Sequence, residues 1–273
     1  TVSKTGGHLA SNLGVTELTV AIHRLFDSPK DHIVFDVGHQ SYTHKLLTGR
    51  FDRFSTIRTE NGISGFCRPN ENEHDIMSSG HSSVSISSAY GLAKANTILG
   101  KTDRYSIAVI GDGALTGGLA YEGLNNAGAS QADILVILND NRQSIDTNVG
   151  ALKKHLLRIT SSRSYNAMKR KMWRGLHSSP RLRAILRHTT HSIKRYLLRQ
   201  SNLFESMDFR YFGPTNGHDV VSLVRTLRSL KEIEGPKLLH AMTIKGKGYS
   251  PAEQDPSHFH GISATVPDEI PVP

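Results

Sequence analysis

Two short polar segments carry residue types that could bind a metal ion. Gly111-Asp-Gly113 and Asn139-Asp-Asn141 each follow a run of apolar residues that is typical of a buried strand. Asp112 and Asn141 offer a carboxylate and an amide oxygen, which are hard ligands suited to Mg²⁺, and Mg²⁺ usually keeps other positions for phosphate oxygens and water. The flanking glycines allow close approach of the backbone to a ligand, and a helix start offers N–H groups to an anion. The pair therefore predicts a metal site that binds a diphosphate.

Simpler interpretations of the same residues stay open at this point. Asp112 could cap a helix, and Asn141 could be a turn residue. Ala95 to Gly100-Lys101-Thr102 resembles a phosphate-binding loop, but alanine replaces its first glycine and the segment follows a helix pattern rather than a strand.

The glycines after the first strand also resemble a dinucleotide-binding fingerprint. Gly111, Gly113 and Gly117 are spaced wrongly by one residue, since Thr116 occupies the place of the third glycine. The acid expected at the end of the next strand is missing, because Asp133 begins that strand. We therefore favour the metal-diphosphate interpretation.

Strand and helix patterns alternate along the chain, and they would position these segments. Apolar residues at helical spacing predict one helix over Val15–Leu25 and another over Val220–Leu230, with Asp219 as its N-cap. The other predicted elements are strands at Ile33–Asp36, Ser106–Gly111, Asp133–Asn139, Tyr211–Phe212 and Lys237–Thr243, and helices at about Val84–Leu99 and Leu119–Ala127. This alternation indicates an α/β fold, a doubly wound and mostly parallel sheet with helices on both faces. Ligands of such sheets bind beyond the carboxyl ends of the strands.

The positive charge of the chain comes from one segment. The formal net charge is +9, but fourteen Lys and Arg lie between Lys153 and Arg199, and no Asp or Glu occurs from Thr147 to Phe204. Without those fourteen, nineteen basic residues face twenty-four acidic ones. We interpret 151–203 as a basic, largely helical or mobile insertion, or as an electropositive cover that attracts a phosphorylated substrate. Nucleic-acid binding is not favoured, because aromatic residues are few and no known motif occurs.

Composition and the ends of the chain indicate where the protein is located and how it divides into domains. The apolar runs are too short to cross a membrane, and the single cysteine, Cys67, cannot form an internal disulfide. We expect a cytoplasmic protein, or a plastid one if the source is a plant or alga. Because Thr1 opens the chain in the middle of a motif, we expect a piece of a longer protein. We divide it into a domain at 1–251, including the insertion, and a Pro-rich linker at 252–273 toward a further domain.

Several longer motifs resemble one family in the correct order along essentially the whole chain. Together with the metal segments, they are similar to the 1-deoxy-D-xylulose-5-phosphate synthases, thiamine-diphosphate enzymes related to transketolase. Other transketolase-like enzymes share some of these motifs but not the full set. The motifs are Gly6-Gly-His-Leu-Ala-Ser-Asn-Leu-Gly14, Asp36-Val-Gly-His-Gln-Ser-Tyr42, Gly80-His-Ser-Ser83, Gly213-Pro-Thr-Asn-Gly-His-Asp219 and Lys245-Gly-Lys-Gly-Tyr-Ser-Pro-Ala-Glu253.

The resemblance implies a role for individual residues. Asp112 and Asn141 match the Mg²⁺ ligands, with the backbone carbonyl of Gln143 as a third. His8, His39 and His260 match histidines at the reacting centre, where a group with a pKa near neutrality can shuttle a proton. The positions that match cofactor contacts are His39, Gly80, His81, Ser82, Gly113, Ala114, Asn141 and Tyr249.

The resemblance also implies a reaction and a missing part. The family condenses pyruvate with D-glyceraldehyde 3-phosphate, using thiamine diphosphate and Mg²⁺, and its sites usually involve a homodimer. In the family a further domain supplies a glutamate for the aminopyrimidine ring and arginines for the substrate phosphate, so we expect this chain alone to be inactive. Another transketolase-like ketol transferase and a non-catalytic cofactor-binding homologue remain the alternatives.

Overall fold

The computed structural model describes residues 1–78, 80–141, 151, 155–156 and 202–264. Within these residues, five strands form one sheet in the order β1-β2-β3-β5-β4, and all neighbouring strands are parallel. The strands are β1 (His32–Phe35), β2 (Ser106–Gly111), β3 (Ile134–Asp140), β4 (Arg210–Asn216) and β5 (Lys237–Met242). A parallel sheet of this kind places all the carboxyl strand ends along one edge.

Helices cover both faces of the sheet. On one face, the helices α5 (Ser85–Ile98) and α6 (Gly118–Ala129) pack against a core that includes Ala108, Ile110 and Val136. On the other face, α3 (Thr16–His23) and α8 (Val220–Lys231) pack against Ile107 and Val109. Successive strand residues therefore point to opposite buried faces, which explains why the strands read as continuous apolar runs. The helices are α1 (Val2–Thr5), α2 (Leu9–Leu13), α3 (Thr16–His23), α4 (Tyr42–Lys45), α5 (Ser85–Ile98), α6 (Gly118–Ala129), α7 (Leu203–Ser206), α8 (Val220–Lys231) and α9 (Ser250–Gln254). Shorter helical turns occur at Leu46–Arg50, Phe54–Thr56 and Ala114–Thr116.

The predicted fold class is confirmed, and so are most of the individual elements. Asp219 caps α8 as expected, because its side chain accepts a hydrogen bond from the backbone N–H of Ser222 at 2.9 Å. The strand expected at Tyr211–Phe212 is longer than predicted and extends over Arg210–Asn216. It contains an irregularity between Phe212 and Thr215. This irregularity interrupts the strand periodicity from which its second half could have been predicted.

The described part of the predicted linker contacts the start of the chain, and the predicted division into domains stays a prediction. Residues 252–264 fold back onto the start of the chain instead of leading away from it. Ala10 donates its N–H to the carbonyl of Phe259 at 2.9 Å, and Gly7 and Ile262 exchange two backbone hydrogen bonds of 2.8 Å. Ala252 is fully buried. Local sequence patterns cannot predict these contacts, because they join segments about 250 residues apart.

Most of the basic insertion at 151–203 lies outside the described residues, and so do residues 265–273. The interpretation of that insertion therefore stays a prediction. Among the described residues, no helix is long and apolar enough to cross a membrane.

Candidate active site

The two predicted metal ligands lie on neighbouring strands at the carboxyl edge of the sheet. In the pairing of β2 with β3, Gly111 is opposite Asn139, and Asp112 donates its N–H to the carbonyl of Asn139 at 3.1 Å. The Asp112 side chain is buried, with 4% of the residue exposed. Asn141 follows the last residue of β3. Gln143 lies outside the described residues, so its proposed role remains a prediction.

Two of the simpler interpretations do not fit the geometry, whereas the turn interpretation of Asn141 is untested because the residues after it lie outside the described part of the chain. Asp112 does not cap α6, since that helix begins at Gly118 and its N-cap is Gly117. The segment Gly100–Thr102 follows the end of α5 and precedes β2, so it lies at the opposite edge of the sheet. The Gly100–Thr102 segment therefore does not share the sheet edge at which Asp112 lies.

The loop that contains Gly80, His81 and Ser82 is held next to the turn at Gly113–Ala114. Asp36, just past the end of β1, accepts the backbone N–H groups of Ser83 at 2.7 Å and of Ser85 at 2.9 Å. Ser83 in turn donates its hydroxyl to the carbonyl of Ala114 at 2.6 Å. Gly80, His81 and Ser82 are themselves exposed. The Ser83 hydroxyl thus joins two segments that match cofactor contacts, and the buried carboxylate of Asp36 holds the backbone of the loop that carries it.

Gly117 is required for that junction. A Cβ atom at this position would lie 2.2 Å from the hydroxyl oxygen of Ser83. Because the hydroxyl already bonds Ala114, a side chain at Gly117 would force the two segments apart.

The three histidines singled out from the sequence form one cluster. The ring centroids of His8 and His39 are 5.1 Å apart, those of His8 and His260 are 5.6 Å apart, and those of His39 and His260 are 5.9 Å apart. His260 reaches the cluster because residues 252–264 fold back. The Ser11 hydroxyl and the Nδ1 atom of His260 form a hydrogen bond of 3.2 Å, and Phe66 packs against the ring of His8.

The surroundings keep these histidines neutral. Burial is the main cause, and it lowers the pKa of His39 to about 3 and that of His260 to about 4. The pKa of His8 is also lowered, by burial and by the nearby cations Arg58 and Lys245. Among the described residues, the buried Nδ1 atoms of His8 and His39 have no hydrogen-bond partner. Buried polar atoms are normally paired, so these two atoms are suited to contact a bound molecule.

Asn12 fixes the backbone that carries two of these histidines. Its amide nitrogen donates to the carbonyls of His8 and His39, both at 2.7 Å, and its amide oxygen accepts the N–H of Tyr42 at 2.8 Å. One buried side chain therefore joins segments that are about 30 residues apart in sequence. The Tyr42 hydroxyl also accepts the N–H of His8 at 3.2 Å.

Lys245 adds a positive charge between the metal edge and the histidines. It is buried, and burial lowers the pKa of its ammonium group to about 8 although the carboxylate of Asp112 acts in the opposite direction. Lys245 and Asn141 line one cavity at the ends of β3, β4 and β5. Tyr249 is partly exposed and packs its ring edge-on against Phe259, one residue from His260. A cation beside a carboxylate and an amide oxygen suits a group that combines a divalent metal with phosphate oxygens.

The sequence interpretation did not single out Asn12, Asp36 or Lys245. Each lies inside one of the motifs quoted for the family resemblance, so membership in a motif was the available signal. Their contacts are long-range, and nothing in residue type or local spacing could have shown what each one touches.

A second group of titratable side chains is a structural ion-pair network. Side-chain atoms of His44, Cys67 and Asp75 that could coordinate a metal ion lie within 4.8 Å of one another. Both oxygens of Asp75 are already bonded, to His44 at 3.1 Å and to the guanidinium of Arg50 at 2.8 and 2.9 Å. Burial raises the pKa of the Cys67 thiol to about 12, so it is a poor metal ligand at neutral pH. We therefore assign no metal to this group.

The fold of this chain is similar to that of the transketolases. Transketolase from Campylobacter jejuni superposes with a TM-score of 0.65 over 95% of this chain and 37% of its own, at 22% sequence identity. Transketolase from Leishmania mexicana gives a TM-score of 0.64 over 94% of this chain and 36% of its own, at 21% identity. At this level of identity the similarity establishes the thiamine-diphosphate-binding α/β fold and not the reaction.

The sequence comparisons identify the family. The profile described as 1-deoxy-D-xylulose-5-phosphate synthase matches residues 1–243, so the chain belongs to this family. It is 52% identical over 263 residues to the 1-deoxy-D-xylulose-5-phosphate synthase of Cytophaga hutchinsonii and 50% identical over 266 residues to that of Thiobacillus denitrificans. These matches cover 95% and 97% of this chain but only 41% and 43% of the relatives. The chain thus spans less than half the length of the relatives that it matches.

Proposed function

We propose that this chain forms the diphosphate-binding half of a site that condenses pyruvate with D-glyceraldehyde 3-phosphate. The products are 1-deoxy-D-xylulose 5-phosphate and CO₂, and thiamine diphosphate and Mg²⁺ are required. The observation that carries the proposal is the position of Asp112 and Asn141 at one sheet edge, with Lys245 and three neutral histidines beside them. The names of the relatives support the reaction, because they share about half of the residues aligned with this chain.

The residues of this chain divide into those that would hold the metal and those that would hold the cofactor. Asp112, Asn141 and the carbonyl of Gln143 are the proposed Mg²⁺ ligands. Lys245 offsets the negative charge of the diphosphate. When bound, thiamine diphosphate supplies a carbon nucleophile that attacks carbonyl groups. The proposed cofactor contacts are His39, Gly80, His81, Ser82, Gly113, Ala114, Asn141 and Tyr249.

The histidines orient the reacting oxygens and hold their protons. Because the pKa of His39 and His260 is far below neutrality, these rings are uncharged at physiological pH. A neutral imidazole has one donor and one acceptor nitrogen, so it can donate a hydrogen bond to a developing alkoxide. The Nδ1 atoms of His8 and His39, which have no partner within the described part of the chain, are available for such a bond.

A complete site requires residues that this chain does not contain within its matched length. We propose that they come from the remaining domains of a longer synthase or from a second polypeptide, and that the assembly is a homodimer. A cytoplasmic location is part of the same proposal. In such an assembly this chain binds the cofactor, whereas turnover by the chain alone is little or none.

Calorimetric titration of the purified chain with thiamine diphosphate tests the binding half of the proposal. We expect heat of binding with Mg²⁺ and none after chelation, and Asp112→Ala should abolish it. Asp103→Ala is the matched control, since it removes an exposed carboxylate that pairs with Lys30 at a distance from the site. Binding that is unaffected by chelation or by Asp112→Ala would refute the metal assignment.

Product analysis tests the reaction. A longer synthase that contains this sequence should convert labelled pyruvate and D-glyceraldehyde 3-phosphate to 1-deoxy-D-xylulose 5-phosphate. If pyruvate is not a donor but a ketose phosphate is, the protein is another ketol transferase. Efficient synthesis by the isolated chain would show that no further domain is needed.

A further inference from the structure

A buried chain of hydrogen bonds crosses three adjacent strands beside the predicted metal edge. Tyr211 of β4 bonds its hydroxyl to Nδ1 of His240 on β5 at 2.5 Å, and Nε2 of His240 bonds the carboxylate of Asp140 on β3 at 2.7 Å. His240 is fully buried, and Asp140 and Tyr211 are 3% and 7% exposed. The proposed reaction uses none of these three side chains directly.

The carboxylate at the Asp140 end defines the direction of both bonds. A carboxylate can only accept, so Nε2 of His240 carries the proton, and in the neutral ring Nδ1 then accepts from the Tyr211 hydroxyl. With these two bonds the His240 ring is in the tautomer that carries its proton on Nε2. β4 also approaches His240 closely at its irregularity, where a Cβ atom on Gly213 would lie 2.5 Å from the His240 carbonyl oxygen. Gly213 has a φ of +130°, which L side chains rarely adopt.

The network ends at the residue that precedes a predicted metal ligand. Asp140 is the last residue of β3, and Asn141 follows it directly. The backbone here is also fixed, since Thr243 donates its N–H to the carbonyl of Asp140 at 3.0 Å. The bond to His240 thus holds the Asp140 side chain on one side of the strand end. A displacement of Asp140 would change the direction in which Asn141 leaves the sheet.

We propose that Tyr211, His240 and Asp140 are positioning residues that hold Asn141 in the geometry needed for Mg²⁺. This inference rests on the proposed function, because it assumes that Asn141 is a metal ligand. Mg²⁺ demands nearly ideal octahedral geometry, so a small displacement of one ligand weakens binding. Side chains that orient metal ligands typically change metal affinity by about 10- to 100-fold when they are replaced.

Substitutions of His240 separate the two arms of the network. The amide nitrogen of a glutamine can occupy the place of Nε2 and donate to Asp140, whereas an asparagine reaches only the place of Nδ1. We therefore expect His240→Asn to weaken Mg²⁺ binding about tenfold or more and His240→Gln to restore most of the affinity. Tyr211→Phe removes only the outer hydroxyl and should have an intermediate effect.

The probe is Mn²⁺, a paramagnetic substitute for Mg²⁺. Electron paramagnetic resonance measures its binding to the full 273-residue chain in the presence of thiamine diphosphate. Urea denaturation of each variant reports stability in parallel. Asp31→Asn is the matched control, because Asp31 is equally buried and bonds two backbone N–H groups just before β1, at the other edge of the sheet. If His240→Asn does not fold, the double variant Asp140→Asn/His240→Asn lacks the buried charge and should show the same loss of metal affinity.

Three outcomes would overturn the inference. One is unchanged Mn²⁺ affinity in His240→Asn or in the double variant. Another is equal weakening by His240→Asn, His240→Gln and Asp31→Asn, since that would reflect general loss of stability. The third is absence of metal-dependent binding by the unaltered chain, which would refute the proposed function as well and so differs from a failure that is confined to the variants.

Discussion

The burial of His39 predicts a specific dependence of stability on pH. Its pKa is lowered from 6.5 to about 3 in the folded chain, so the unfolded chain takes up the proton first as the pH falls. The unfolding free energy is therefore unaffected by the titration of His39 above pH 6.5, and it falls as the pH drops from 6.5 toward 3. One pH unit corresponds to about 1.4 kcal/mol for one proton. At pH 5, which is 1.5 units below the unfolded value, His39 should have lost about 2 kcal/mol of unfolding free energy.

Urea denaturation at pH 8, 7, 6 and 5 measures this contribution when the chain is compared with His39→Gln. Glutamine cannot take up a proton in this range, so the fall in unfolding free energy between pH 8 and 5 should be about 2 kcal/mol smaller in the variant. Titrating groups distant from His39 cancel in the difference, whereas His8 and His260 interact with His39 and contribute a smaller change. His39→Asn is the control for packing, because it has a different size but the same lack of a titrating group, and it should show the same reduction. An equal fall in the unaltered chain and both variants would refute the assignment of a buried, neutral His39.

Three further substitutions test the contacts that position the site. Asp36→Asn should reduce the unfolding free energy by about 2 kcal/mol, measured by urea denaturation, since it removes one of two charge-assisted hydrogen bonds to the buried residues Ser83 and Ser85; an unchanged midpoint would contradict this role. Gly117→Ala should weaken thiamine diphosphate binding in calorimetry and lower stability by about 1–3 kcal/mol, because its new methyl group meets the Ser83 hydroxyl. Wild-type affinity would show that the loop can move without consequence. Asn12→Ala should lower the melting temperature by about 4 °C or more in scanning calorimetry, as it leaves two buried carbonyls without their donor; an unaltered melting temperature would show that the carbonyls find other partners.

Local pattern was sufficient for the sheet and its main helices. The strands β2 and β3 are continuous apolar runs because both of their faces are buried, and the polar residues that follow them mark where they end. Such signals are contained within a few residues. The second half of β4 was missed because its irregularity and its glycine and proline carry no strand pattern.

The site could be predicted in part, and the limit lies in the range of the contacts. Asp112 and Asn141 follow consecutive strands of a parallel sheet, so their meeting at one edge follows from topology alone. The cluster of His8, His39 and His260 does not follow from any local rule. It depends on Asn12, and on the return of residues 252–264 to the start of the chain.

The sequence by itself determined the alternation of strands and helices, the family and the edge at which a ligand would bind. Periodicity and motif order are properties of residues close together in the chain, and burial of each apolar face leaves few ways to assemble them. Only the tertiary structure decided that three histidines share one neutral cluster, that Lys245 lies between them and Asp112, and that Asp140 is anchored through His240. These properties arise from burial and from hydrogen bonds between distant segments, and desolvation acts on a group only after the chain has closed around it.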